Sequence, residues 1–201
     1  MWALVESGSI SKIFTRPTQL TIGDIKYPRN IFEIWSESEL KRIGIYTIEI
    51  DSTNKKDEEW YNNTNITYAF GSGKVTGTYG TATAKAIADA DAVDTDGNKV
   101  KDENGKQIII EGLKTKKKRM IDNQCAELLA PSDWRVVKAT ETGDTMDSGW
   151  KTWRASVRTK CNSMQTQIDN ASDVDALAAL FTYTEKDGVV SRPLGEFPEK
   201  E

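Results

Sequence analysis

Asp94, Asp96 and Asn98 form the arrangement in this chain closest to a metal site: three oxygen-bearing side chains spaced two apart. They fit positions one, three and five of a calcium-binding loop. The sixth position then falls on Lys99, where such a loop needs Gly for its sharp turn, and the twelfth on Gly105, where it needs a bidentate Glu. The same residues with Gly97 make an Asp-Gly hairpin turn, which is what we expect here. Acid–base chemistry has little else to draw on. The chain has no histidine, so the commonest general base and metal ligand is missing. Cys125 and Cys161 are too few for a zinc site of the usual kind. Each reads as a small apolar residue on a helix face, with a disulfide open to the pair if their helices pack side by side. Asp57, Glu58 and Glu59 sit in a polar stretch with no apolar surroundings to raise a carboxyl pKa. Neither a Walker A loop nor a dinucleotide fingerprint occurs. No catalytic residue, metal site or cofactor is therefore expected, and the chain reads as a binding protein rather than an enzyme.

Charge and hydropathy narrow the partners. The 201 residues carry a net charge of −4, so the basic footprint of a sequence-independent nucleic-acid binder is absent. Lys114, Lys116, Lys117, Lys118 and Arg119 form a basic run, but it is short and lacks interleaved aromatics. It reads as a solvated helix face, or as a contact for a partner's carboxylate. No apolar run approaches the roughly 18 residues of a membrane span, and the first residues lack the features of a signal peptide.

The elements that must hold these residues follow from period and punctuation. Residues 1–80 read as a module of short antiparallel strands. One hairpin turns around residues 6–9, a second around Gly23-Asp24 and a third around residues 71–73. A small helix starts at Ser36, with Glu39 completing a capping box, and stops at Gly44. A strand over residues 45–50 follows. Residues 81–112 read as an acidic linker or inserted hairpin with turns at Asp96-Gly97 and Asn104-Gly105. Residues 113–201 read as a helical hairpin and tail. A first helix runs to Pro131 and a long one from about Ser148 to Asn170. Trp150, Trp153, Val157, Cys161, Met164 and Ile168 form the stripe of the long helix. Ser172 caps a last short helix. The fold class expected is α+β.

The corner between the helices is the most distinctive stretch. Ser132-Asp133-Trp134 follows a helix directly, and Trp150, Trp153-Arg154 and Arg158 come about twenty residues later. This segment resembles the C-terminal part of bacteriophage tail-fibre assembly chaperones and related tail proteins. The strand-rich start and the ending Arg192-Pro193-Leu194-Gly195-Glu196-Phe197-Pro198 look similar too, whereas residues 81–112 have no counterpart. Ser132 and Trp153 stand where relatives often carry Thr and Tyr. The resemblance implies an assembly chaperone that binds a tail-fibre protein, at its C-terminal region, in the host-cell cytoplasm, and that sometimes stays on the mature fibre in the virion tail. A structural tail component, such as a fibre tip, baseplate or host-receptor-binding protein, is the alternative. Physically, Asp133 can cap the segment after Pro131, and Trp134 can pack on Trp150 or Trp153. Arg154 or Arg158 can pair with Asp133 or lie over a tryptophan. Asp133, Trp134, Trp153 and Arg154 are thus expected to close the hairpin. Trp35, Trp60, Tyr61, Trp150 and Arg158 are the candidates for partner contact, Trp60 having the most exposed neighbourhood.

Overall fold

The computed structural model describes residues 1–200 and has two compact units, dividing between Thr83 and Ala84. The class is α+β, with a mixed sheet of short strands and a C-terminal helical region.

In the N-terminal unit, strands β1 (Trp2–Glu6) and β2 (Ser9–Phe14) form the first hairpin. β3 (Leu20–Ile22) and β4 (Ile25–Tyr27) form the second, as a separate two-stranded ribbon. A single turn α1 (Ile31–Ile34) precedes α2 (Glu37–Arg42), so the module has two short helices where one was expected. Ser36 and Glu39 make the reciprocal capping box at α2. Then come β5 (Ile45–Asp51), the short β6 (Tyr61–Asn62), and the third hairpin, β7 (Ile66–Gly71) and β8 (Lys74–Tyr79). The main sheet has the order β2-β1-β5-β8-β7. One pairing corrects the expectation of purely antiparallel strands: β5 and β8 run parallel, with Ile48 opposite Val75. The connection through β6 and β7 carries the chain back to the same end of the sheet, which is what a parallel neighbour requires.

Alternation splits the sheet's side chains between two clusters. Leu4, Phe14 and Ile45 pack with Leu20, Ile31, Phe32 and Leu40. Ala3, Ile48 and Val75 lie on the other face, flanked by Tyr46 and Phe70, whose rings meet at 4.9 Å. Gly44 has φ +82°, and a Cβ there would stand 2.7 Å from the Val5 carbonyl oxygen. Only glycine lets α2 hand the chain to β5 at that distance from β1.

β9 (Thr83–Ala84) falls at the boundary between the units, and the second continues as extended chain with β10 (Ala90–Asp91) and β11 (Ile109–Ile110). No helix forms over residues 81–92, where a weak helix or a linker were both open. Between β10 and β11 the chain makes the same eight-residue turn twice, over 94–101 and 102–109. Asp94 Oδ1 accepts from the amides of Asp96 and Asn98. Asp102 Oδ1 accepts likewise from Asn104 and Lys106. Gly97 and Gly105 occupy the left-handed position in each. Ala92, Val100 and Ile108, spaced by eight, then close a ring: Val100 N–H donates to Ala92, Ala92 to Ile108 and Ile108 to Val100, at 2.8–3.0 Å. The calcium-like spacing is thus a pair of Asp turns whose carboxylates are engaged by backbone amides.

Helices α3 (Leu113–Leu129) and α5 (Ser148–Asn170) pack together, with α4 (Asp133–Thr142) between them in sequence and α6 (Val174–Phe181) after them. Ile121, Cys125, Val157, Cys161, Met164 and Ile168 are buried, at the helical spacing their periodicity predicts. Asp173, not Ser172, caps α6 by accepting from the Ala176 amide. The tail forms a ribbon of β12 (Thr184–Lys186) and β13 (Val189–Ser191) and then buries Leu194 completely.

The basic run differs from the solvated face expected of it. Lys114 Nζ donates to the Asp169 carbonyl at 2.8 Å, and Lys118 Nζ to the Asp169 carboxylate at 2.7 Å. Lys117 is buried with its ammonium 4.7 Å from the Phe181 ring centroid. The start of α3 lies beside the end of α5, so cations unfavourable at one helix N-terminus are favourable at its neighbour's C-terminus.

Candidate partner-binding site

The corner after α3 is built on one buried arginine. A 3-10 turn over Ala130–Ser132, with Pro131 inside it, redirects the chain into α4. Arg154 on α5 reaches back into this turn with its side chain only 5% exposed. Its Nη1 donates to the Leu129 carbonyl at 2.8 Å and to Ser132 Oγ, and its Nη2 to Asp133 Oδ1 at 2.6 Å. Ser132, fully buried, donates in turn to the Leu129 carbonyl. One guanidinium thus satisfies a helix-terminal carbonyl, a hydroxyl and a carboxylate, using the planar fork that lysine lacks. Asp133 does not cap α4; it sits in the first turn and spends its carboxylate on Arg154.

Trp134 does not close the hairpin as expected. It is 55% exposed, and Arg135 stands between it and α5. The Arg135 guanidinium lies 4.6 Å from the Trp134 ring centroid and 4.5 Å from that of Trp150. Such stacking holds the ring in place from one side and leaves its rim to solvent. Trp150 also meets Trp153 edge-on at 5.6 Å. Trp153 turns to the tail, donating Nε1–H to the Pro198 carbonyl at 3.0 Å. Around Trp134 and Arg135 opens a groove of about 320 Å³, completed by Lys138, Ala139 and the loop over 144–147.

The helix that carries Trp134 has no buried residue along its length, and Val136 and Val137 are exposed with it. A helix of ten residues is marginal by itself in water. Arg154 and the Arg135 stack, both made at its first turn, are what fix it. Arg158 is exposed and makes no ion pair among the described residues.

The other candidates belong to the N-terminal unit. Trp60 is buried, 6% exposed, which corrects the expectation that its polar neighbours leave it at the surface. The turn that starts at Asp57 folds it inward: the Asp57 carbonyl accepts from the amides of Trp60 and Tyr61 at 3.1 and 2.9 Å. Tyr61 is half-buried with Lys56 above its ring. Trp35 borders the larger core cluster, edge-on to Tyr27 at 5.8 Å. Of the expected contact residues, the structure therefore gathers only Trp150 with the corner. Arg135 was missed, although its signal was available: a cation directly after an aromatic in the first turn of a helix.

The cysteines face the helix interface as free thiols. Burial, with Cys125 and Asp122 beside it, pushes the Cys161 thiol up to about 12. A thiol held that high is not poised as a thiolate at neutral pH, so Cys161 sits as a packing group in the helix interface. No group of three or more metal-ligating side chains is found among the described residues, and none of their helices is long and apolar enough to cross a membrane.

No family model matches this chain, and neither the curated proteins nor the solved structures contain a significant match.

Proposed function

We propose that this chain is a non-catalytic assembly factor that binds a bacteriophage tail-fibre protein, with α4 as its docking element. The observation that carries the reading is the combination at the corner: an exposed tryptophan on a helix with nothing buried, held rigid at one end by Arg154. A folding helper needs an apolar surface that covers an unfinished partner, and that surface must be ordered before contact to limit the entropic cost. Trp and Arg, which stand side by side at Trp134 and Arg135, are the residue types that most often dominate binding energy at protein interfaces. The Ser132-Asp133-Trp134 corner with Trp150, Trp153-Arg154 and Arg158 supplies the likeness to tail-fibre chaperones. No acid–base, metal or cofactor chemistry is required.

Co-expression tests the proposal. The tail-fibre protein of the same genome is produced with and without this chain, and its soluble trimer is quantified by size-exclusion chromatography. The trimer should accumulate only with the chain present. A fibre that trimerises equally well alone contradicts the reading.

A further inference from the structure

The N-terminal unit holds a second concave surface with a different chemistry. Arg16 follows β2, Lys26 lies within β4 and Arg29 precedes α1, and all three line one cleft of about 680 Å³. No carboxylate lines it. Arg16 and Lys26 form no ion pair among the described residues. Arg29 has only Glu33, at 3.9 Å with both side chains largely in solvent, a geometry that contributes little. Three cations around one cleft, offset among the described residues only by the weak Glu33 contact, make a locally positive surface in a chain whose net charge is −4, and such a surface attracts an anion.

The donor set selects the anion. A planar carboxylate is satisfied by a single arginine fork. A tetrahedral oxyanion has enough acceptors for two guanidiniums and an ammonium together. The cleft is also far larger than a bare oxyanion. Pro17 and Pro28 stiffen its walls, and Tyr27, held edge-on by Trp35 at 5.8 Å, offers an aromatic surface of the kind that packs against the C–H face of a sugar ring. We propose that this cleft binds a saccharide bearing a phosphate or sulfate group.

Isothermal titration of the full chain tests this. The probes are glucose 6-phosphate, a sulfated dextran oligosaccharide, glucose, inorganic phosphate and polyglutamate. Glucose 6-phosphate or the sulfated oligosaccharide should saturate the protein, and which of them binds more tightly tells a free sugar from a glycan chain. Glucose alone should not bind, and inorganic phosphate should bind about tenfold more weakly than the better sugar. The double variant R16Q/R29Q should lose about tenfold or more in affinity, with K26Q a smaller loss. Binding should weaken as salt rises, because the contacts are exposed charges. The side chains replaced are on the surface, so circular dichroism and the urea midpoint should match wild type. The proposal is overturned if neither anionic sugar saturates, if R16Q/R29Q binds as tightly as wild type, if inorganic phosphate binds as tightly as the sugars, or if polyglutamate displaces them.

Discussion

At the residue scale, Arg154 and Trp134 divide the labour that adjacent aromatic and charged residues often share. Arg154 is structural. Arg154→Ala leaves the Leu129 carbonyl, Ser132 and Asp133 without their common donor, and urea unfolding followed by circular dichroism should show a loss of about 2–3 kcal/mol. Arg154→Lys should recover little, since one ammonium cannot address three acceptors in the same plane. Trp134→Ala should change stability by less than about 1 kcal/mol, because its ring is mostly in solvent. The Asp133–Arg154 pair was legible only in part: Arg154 and Arg158, one turn apart on the same helix, were both open as partners of Asp133, and the 3-10 turn that brings Leu129, Ser132 and Asp133 to Arg154 decides between them. Trp60 was not legible. Its neighbours Asp57, Glu58 and Glu59 are polar, but polarity along the chain says nothing about where a turn points the next side chain. The thiols give a separate check. Cys161, buried and held up to about 12, should resist a thiol reagent in the native protein at pH 8 and react only as the helices unfold. Prompt reaction would contradict the packing of α3 on α5.

At the element scale, the segment before α3 completes the helix. Leu113 N–H donates to the Ala86 carbonyl and Lys114 N–H to the Ile87 carbonyl, at 2.9 and 3.1 Å. Asp89 accepts from the Gly112 amide at 2.7 Å and from the Thr115 hydroxyl at 2.9 Å. These are the amides a helix start leaves unpaired, and Gly112 has no capping side chain of its own. Its Cα lies so close to the Ala88 carbonyl that a Cβ would collide with it, so Gly112→Ala should cost about 1–3 kcal/mol in urea unfolding. Those hydrogen bonds hold the Asp89 carboxyl below its ordinary 3.8. A depressed folded pKa gives a contribution that is complete above the unfolded value and is lost as pH falls through the folded one. Asp89→Ala should therefore lower the melting temperature at neutral pH, and the gap to wild type should close as pH drops below 3.8. The periodicity of α3, α5 and α6 was readable because buried helices advertise one face. The role of residues 81–112 was not, because a cap supplied from 23 or more residues upstream leaves no local pattern. Its eight-residue repeat does stand in the sequence, as Asp-x-Asx-Gly at 94 and again at 102, and both turns were legible, but the ring of hydrogen bonds that joins Ala92, Val100 and Ile108 has no local signal.

At the scale of the molecule, each unit has its own core and its own surface chemistry. In the N-terminal unit the hairpins were legible from their turn residues. The parallel pairing of β5 with β8 was not, because it joins strands separated by two intervening elements and no short-range signal records it. In the helical unit, the hairpin was legible but the orientation of Trp134 was not. Whether an indole packs across a hairpin or stays out depends on which side chain reaches the gap first, and Arg135 takes it. The account as a whole turns on that outward face of α4. The most direct measurement is the yield of soluble, trimeric tail-fibre protein when it is co-expressed with the double variant Trp134→Ala, Val137→Ser in place of the wild-type chain. The variant should remain folded and soluble, with an unchanged circular dichroism spectrum, while the trimer falls several-fold toward its level without any helper. A variant that supports as much trimer as wild type would contradict α4 as the docking surface.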